Sequence, residues 1–283
     1  MRWQNGLKLV ECPLKEPAHK EYYSPYWHIH RADLHRGLLQ YATDLGIKVH
    51  LDSKVVDVEP NIPSLTTQAG GVFFADLIVA SDGTIDARLP EGVNQKAGSN
   101  DEAREAFRGW DQRIDIMLQH ATSILEWRLF THKAVPRWVH RNSKVLLIGD
   151  AAHAMTPYLA QGAAMGIKDA AILGGLLTAF PSPSSLEVAL PLYEQLRHSR
   201  TAKVAAASID SRWFTQMEDG PEQRERDEWL QEHPGIHEGH RNIRSDRTFL
   251  DWLFGYDAYK VLDKALSEHK QRETKEDVEA GNS

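Results

Sequence analysis

The reading turns on Val145-Leu146-Leu147-Ile148-Gly149-Asp150-Ala151-Ala152-His153, then Pro157, then Ala160-Gln161-Gly162-Ala163-Ala164-Met165-Gly166-Ile167-Lys168-Asp169-Ala170. Residues 144–148 predict a short strand, because an apolar run without polar alternation is what a strand covered on both faces shows. Such a strand delivers the Asp150 carboxylate to the carboxyl edge of a sheet, where open α/β folds bind ligands. The small residues that follow let a flat ligand come close to the backbone. A helix from about Gly162 to Ala179 points its unpaired N–H groups and positive dipole end at that ligand. A carboxylate for ribose or ribityl hydroxyls, beside amide donors for an anion, suits a nucleotide-like cofactor. A packed strand–turn–helix with Asp150 as its cap fits the same residues equally well.

Outward from this segment the α/β grammar continues. Upstream, Leu34, Leu38, Tyr41 and Leu45 fall at helical spacing, and Gly46 stands where a helix-ending glycine belongs. Ile47, Val49 and Leu51 alternate with polar residues and predict a strand. Lys54 to Glu59 predicts a second. Val72 to Ala80 reads as one buried strand ending at Ser81-Asp82-Gly83, and Glu102 to Glu126 reads as helix. Downstream, Leu186 to Ala207 predicts a long helix with Leu190, Tyr193, Leu196 and Val204 towards one face. Lys264 to Ser283 is charged, low in large apolar groups and expected to be disordered.

The chain has 283 residues, 41% of them hydrophobic and 26% charged, enough for a real core and against intrinsic disorder. A net charge of −7 gives no electrostatic case for nucleic acid or an anionic membrane. The single cysteine, Cys12, excludes an intrachain disulfide or a multi-cysteine metal cluster. The stretch Ala170 to Ser182 is shorter than a membrane span requires, and the N-terminus has no signal-peptide core, so a soluble, cytoplasmic protein is expected.

The stretch GDAAHAMTPYLAQGAAMGIKDA closely resembles the second FAD-binding motif of flavin-dependent aromatic hydroxylases, the salicylate hydroxylase-like group A monooxygenases. The resemblance extends to Phe107-Arg108-Gly109-Trp110-Asp111, Trp127 and Pro136-Arg137-Trp138 upstream, and to Tyr193, Arg197 and Arg200 downstream. Ser81-Asp82-Gly83 with Arg88 is similar to the family's Asp-Gly motif, with Asp86 where a serine is usual. His30-Arg31-Ala32-Asp33-Leu34 is similar to its His-Arg-x-x-Leu helix start. The resemblance implies that Arg31 reaches the FAD and Asp150 the ribityl chain. It places Gly149, Gly162 and Ala163 about the helix N-terminus near the isoalloxazine. Pro157 then borders the flavin and substrate cavity, and Asp82 and Gly83 shape the flavin phosphate region.

The implied fold is α/β, a Rossmann-related FAD-binding three-layer domain left incomplete, with a reduced substrate domain and a helical C-terminus. The expected layout is a partial FAD-binding domain over 1–90, a shortened substrate-domain remnant over 91–143 and the motif strand and helices over 144–210. A helical segment over 211–263 and a tail over 264–283 follow. The implied activity is monooxygenation of a small aromatic or polyketide-like molecule with FAD, NADH or NADPH, and O2. A homo-oligomer is compatible with it. No G-x-G-x-x-G occurs in the chain, although that fingerprint holds the ADP pyrophosphate in the family. The interval from Asp82 to Asp150 is also too short for the usual covering sheet. FAD is therefore expected to bind weakly or not at all. The alternative is an inactive or repurposed remnant, acting as a binding partner or a flavin-free isomerase or cyclase scaffold.

Two smaller signals are read as structural. His233, His237 and His240 in EHPGIHEGH have a spacing compatible with zinc, but Pro234, Gly235 and Gly239 make the segment a loop, and solvated histidines are expected. Trp213, Trp229 and Trp252, near Phe214, Phe249 and Phe254, are expected to dock a C-terminal helical segment onto the core.

Overall fold

Leu146 is fully buried at the centre of a short three-way pairing. In the computed structural model, which describes residues 1–83, 95–127, 129 and 135–281, the elements run in this order. Helix α1 covers Lys15–Tyr22 and α2 Arg31–Asp44, followed by strands β1 (Val55–Glu59), β2 (Ser64–Thr67), β3 (Val72–Phe74), β4 (Ile78–Ala80) and β5 (Gln95–Gly98). Next come α3 (Asn100–Ala106), α4 (Gln112–Gln119), β6 (Ile124–Trp127), β7 (Val145–Leu147), the single turn α5 (Asp150–His153) and α6 (Gly162–Ala179). The chain finishes with α7 (Leu186–Thr215), α8 (Pro221–Glu232), α9 (Arg247–Phe254) and α10 (Ala258–Gly281).

β7 pairs in parallel with β4, with Ile78 opposite Val145 and Ala80 opposite Leu147. On its other side Val139 bridges Leu146 in the antiparallel sense. Leu146 is therefore paired on both sides, by β4 and by the bridge to Val139, and packs among the apolar residues of the core. The core joins Leu146 to Ile172 and Leu176 of α6, Leu190 and Tyr193 of α7, and Leu262 of α10. Helix α6 is apolar almost throughout because both α7 and α10 pack on it. At Gly175 the approach is closest: a Cβ there would meet Leu262 Cδ2 at 2.1 Å. A second cluster gathers Met165, Val204, Ala207, Phe249 and Leu253, so α9 docks on the α6–α7 pair as the C-terminal aromatics suggest.

The N-terminal half differs from expectation in several places. α2 closes as predicted: the Gly46 N–H donates to Thr43 O at 2.9 Å and the Ile47 N–H to Ala42 O at 3.1 Å, a Schellman end with Gly46 at φ +80°. Residues 47–52, however, form no strand, because among the described residues no neighbouring strand takes their backbone hydrogen bonds. The run from Val72 to Ala80 divides into β3, which pairs antiparallel with β2, and β4. The predicted helix over 102–126 divides into α3 and α4, with Gly109 at φ +81° between them and the Asp111 side chain accepting from the Arg113 N–H at the start of α4. Its last residues become β6, which pairs antiparallel with β5. The stretch expected to be a disordered tail belongs to α10, held at its start by the buried Leu262 and Ala265. Asp86, Arg88 and Gly92 lie outside the described residues.

Candidate functional site

The parallel pairing of β4 and β7 sends two turns out of the same sheet edge. Ser81-Asp82-Gly83 follows β4 and Gly149-Asp150 follows β7, with the Ile148 N–H donating to Ala80 O at 3.0 Å between them. Gly83 has φ +80° and Gly149 φ +58°, so both turns use backbone conformations that a side chain would strain. The Asp150 side chain lies beside the start of α6: a Cβ on Gly162 would stand 3.9 Å from Asp150 Oδ1. One turn further along the helix, a Cβ on Gly166 would stand 3.8 Å from Gly149 Cα. α6 enters without a side-chain cap and without an acidic residue in its first turn, which leaves its positive end unopposed by charge from its own sequence.

What holds this turn in place is Asp169, a residue of α6 for which the sequence pattern indicates no role. Asp169 is fully buried and accepts three hydrogen bonds: from the Gly149 N–H at 3.0 Å, from His153 Nε2 at 2.5 Å and from Arg197 Nε at 2.7 Å. Arg197, also fully buried, donates onward to Tyr256 Oη at 3.2 Å and Met165 O at 3.3 Å. Burial pushes the Asp169 carboxyl up, but the His153 hydrogen bond and the neighbouring charges outweigh it and hold it below the ordinary carboxylate value. The signal for this role is a charged residue inside an apolar helix, because a buried carboxylate needs a built partner set. On the preceding position Lys168 is pushed down to about 8 by burial, with the Arg200 and Arg197 charges adding to it.

Pro157 opens a 3₁₀ turn over Pro157–Leu159 that leads through Ala160, at φ +53°, into Gln161 and Gly162. Thus Gly149, Asp150, Pro157, Gly162 and Ala163 belong to one continuous turn-and-helix unit, with Asp82 and Gly83 on the adjacent turn. Arg31 begins α2. Its guanidinium lies 5.5 Å from the centroid of the Trp127 ring on β6. The His233–His237–His240 segment is not solvated as expected but packs around Trp229, with His240 buried: His233 stacks on the indole at 4.2 Å and His240 meets it edge-on at 4.8 Å. His240 uses both ring nitrogens, Nε2 against His233 O and Nδ1 accepting from the Asn242 N–H. Among the described residues no group of histidine, cysteine and carboxylate side chains is arranged to hold a metal.

The family described as FAD binding domain matches residues 90–208. The FAD-dependent monooxygenase OpS4 of Beauveria bassiana is 34% identical over 182 residues, 64% of this chain and 43% of that protein. The 3-amino-4-hydroxybenzoate 2-monooxygenase PtmB3 of Streptomyces platensis is 28% identical over 331 aligned positions, covering 92% of this chain and 78% of that one. Over these stretches the chain is similar to FAD-dependent monooxygenases. It spans 43% of the length of the first of these relatives. The alignment with the second is longer than this chain's own 283 residues, so that monooxygenase carries segments this chain lacks. In fold, HpxO of Klebsiella pneumoniae, complexed with FAD and uric acid, superposes with a TM-score of 0.65 at 16% identity, covering 94% of this chain and 78% of that one.

The unit at the β7–α6 junction lies within the stretch matched by the FAD binding domain, and its residues fit such a cofactor. Nothing stands within 4 Å of where a Cβ on Gly149 would be built, so the turn leaves an open cradle in front of the uncapped helix. A side chain at 149 would both strain the backbone and fill that space. Asp150 is exposed at its rim, where a carboxylate accepts hydroxyl protons. Asp169 lies behind the cradle as its anchor.

Proposed function

We propose that this chain is an FAD-dependent monooxygenase that hydroxylates an aromatic or polyketide-like small molecule, using NADH or NADPH and O2. The observation that carries the reading is the Gly149 cradle: a left-handed glycine, pinned through its N–H by the buried Asp169, in front of a helix start with no acid of its own. Asp150 would accept hydroxyls of the ribityl chain, and the first amides of α6 would face the electron-rich part of the flavin. Gly162 and Ala163 keep that approach free of large side chains, and Pro157 bounds it on the side of the 3₁₀ turn. Asp82 and Gly83, on the neighbouring turn of the same sheet edge, would shape the phosphate end. Arg31 would reach the cofactor from the start of α2. The chemistry the cofactor supplies is reduction by NAD(P)H followed by transfer of one oxygen atom from O2 to the substrate. A cytoplasmic setting, which supplies the nicotinamide, belongs to the same proposal.

The test is an FAD titration of the full chain, followed by flavin fluorescence and by the flavin absorbance bands. Weak but saturable binding is expected. Asp150→Ala should weaken it by about 1.5–3 kcal/mol, the scale of a hydrogen bond to a charged acceptor, with unchanged circular dichroism. A chain that binds no FAD, or an Asp150→Ala variant with unchanged affinity, would overturn the reading.

A further inference from the structure

Four cations gather around two rings where α6, α7 and α9 meet. The Arg200 guanidinium carbon lies 4.1 Å from the Trp252 ring centroid and 3.9 Å from that of Tyr256. Lys203 Nζ stands 4.2 Å from the Trp252 centroid. Lys168 Nζ and the Arg197 guanidinium carbon stand 5.4 and 5.5 Å from the Tyr256 centroid. Arg197, Arg200 and Lys203 come together because they follow at every third position of α7, one turn apart. Lys168 joins them from α6, which packs against α7.

Of the four, Arg197 alone has a counter-charge. Asp169 is taken up by Arg197, His153 and the Gly149 N–H. Asp251 pairs with Arg247 at 3.0 Å, and Asp257 with Lys260 at 3.7 Å. Among the described residues no carboxylate pairs with Lys168, Arg200 or Lys203. Arg200 is only 9% exposed. Its Nη2 donates to Trp252 O and Leu253 O, both at 3.0 Å, and its Nε is buried without a partner. The ring faces and the carbonyls at the end of α9 attract a cation but bring no formal negative charge. Burial pushes Lys168 down to about 8 and Arg200 down to about 10, and neighbouring guanidinium charges add to both shifts.

The donors left over are ammonium groups, Lys168 half-buried and Lys203 exposed. A flat carboxylate is best matched by a guanidinium fork, and here that fork is turned to carbonyls. A compact ammonium acts instead as a point charge for a phosphate oxygen. Against three unbalanced cations a monocarboxylate offsets one charge and a phosphate dianion two. We propose that Lys168 and Lys203 hold a phosphate group beside Arg200, either the free ion or the phosphate of a small nucleotide. The site does not rest on the monooxygenase reading.

The experiment is isothermal titration calorimetry of the full chain without FAD, at neutral pH and low ionic strength. The probes are inorganic phosphate, AMP, adenosine and acetate. Phosphate and AMP should bind saturably and compete, while adenosine and acetate should not bind measurably. AMP tighter than phosphate identifies a nucleotide as the source and equal affinity identifies the free ion, and either result sustains the site. Lys203→Gln, an exposed change that leaves the fold intact, should weaken both about 10- to 100-fold, the range for one charged hydrogen-bonding partner. Lys168→Glu supplies the missing counter-charge from within the chain. It should abolish phosphate binding and raise the thermal midpoint measured without phosphate. Lys264→Gln, a surface lysine of α10 paired with Glu268, should keep the parent affinity. No saturable binding of phosphate or AMP, acetate or adenosine binding as tightly, or a Lys203→Gln variant with parent affinity would each overturn the proposal. Phosphate binding that Lys203→Gln weakens, in a chain that fails the FAD titration, would sustain this site and remove the monooxygenase reading. FAD binding in a chain indifferent to phosphate would do the reverse.

Discussion

Helices α2 and α6 are both written with apolar residues at helical spacing, and they end in opposite situations. α2 has no buried residue: Leu38 remains 58% exposed and Leu45, at its end, 64%. α6 buries Met165, Asp169, Ile172, Leu173 and Leu176. The difference teaches that periodicity and capping decide whether a helix forms, while burial depends on whether another element arrives to cover it. α2 has a side-chain cap from His30 and a Schellman end, signals worth about 1 kcal/mol each at a helix terminus. α6 has no side-chain cap and is held by α7, α10 and a buried ion pair. One helix is locally specified and the other is tertiary.

The strongest way to break this comparison is to remove Asp169. Asp169→Ala leaves Arg197 charged, fully buried and without its carboxylate, and frees the Gly149 N–H that Asp169 accepts. Loss of one partner of a buried pair costs about 3–5 kcal/mol, and chemical denaturation should show it as a lower midpoint with an unchanged slope. A midpoint within error of the parent chain would mean that α6 is not held as described.

A second test acts on packing alone. Gly175→Ala places a Cβ where Leu262 Cδ2 now sits, 2.1 Å away. The obstacle is the end of a side chain rather than backbone, so Leu262 can turn, but it is itself buried. Overpacking of that kind costs about 1–3 kcal/mol, less than the lost ion pair. Gly175→Ala paired with Leu262→Ala should cost less than the sum of the two single changes, since each relieves the other.

The same contrast shows how far the sequence is legible. The run Val145–Ile148, the turn Gly149-Asp150 and the helix from Gly162 to Ala179 are readable because each carries its own local signal: apolar continuity, glycine and small residues, then uninterrupted helical spacing. Residues 47–51 mislead because alternation describes one strand's faces and says nothing of a neighbour to pair with. Gly109 and Asp111 are a legible break in the 102–126 helix that the periodicity overrides. Asp169 is visible in the sequence, but its role depends on His153 and Arg197, which are brought to it only by the packing of α6 on α5 and α7.

Lys168 offers a smaller, pH-dependent test of the same helix. Its ammonium is pushed down to about 8 by burial, the largest cause, and then by Arg200 and Arg197. A lysine lowered in the folded state is protonated more in the unfolded chain between about 8 and its ordinary 10.5. Stability therefore gains from this group as pH rises through that window, and the charged form costs stability below it. Lys168→Met should raise stability at neutral pH and flatten the rise between pH 8 and 10.5 relative to the parent. A variant with the same slope would show that the cation is solvated.

The smallest effect is expected on the exposed face of α2, and its smallness is the point. Leu38→Gln and Leu45→Gln change residues 58% and 64% exposed, in a helix that buries nothing and whose ends are fixed by His30 and Gly46. Surface substitutions away from caps and cores usually stay within about 0.5 kcal/mol, and glutamine is close to leucine in helix propensity. Equilibrium unfolding should therefore be unchanged within that margin. Solubility should rise, because Leu38, Tyr41, Leu45, Ile47 and Leu51 otherwise present exposed apolar area along one stretch of chain. A destabilisation of more than about 1 kcal/mol lies outside that surface range. It would mean that α2 is covered in solution by something its own chain does not place there, and the contrast with α6 would then be one of partner rather than of exposure.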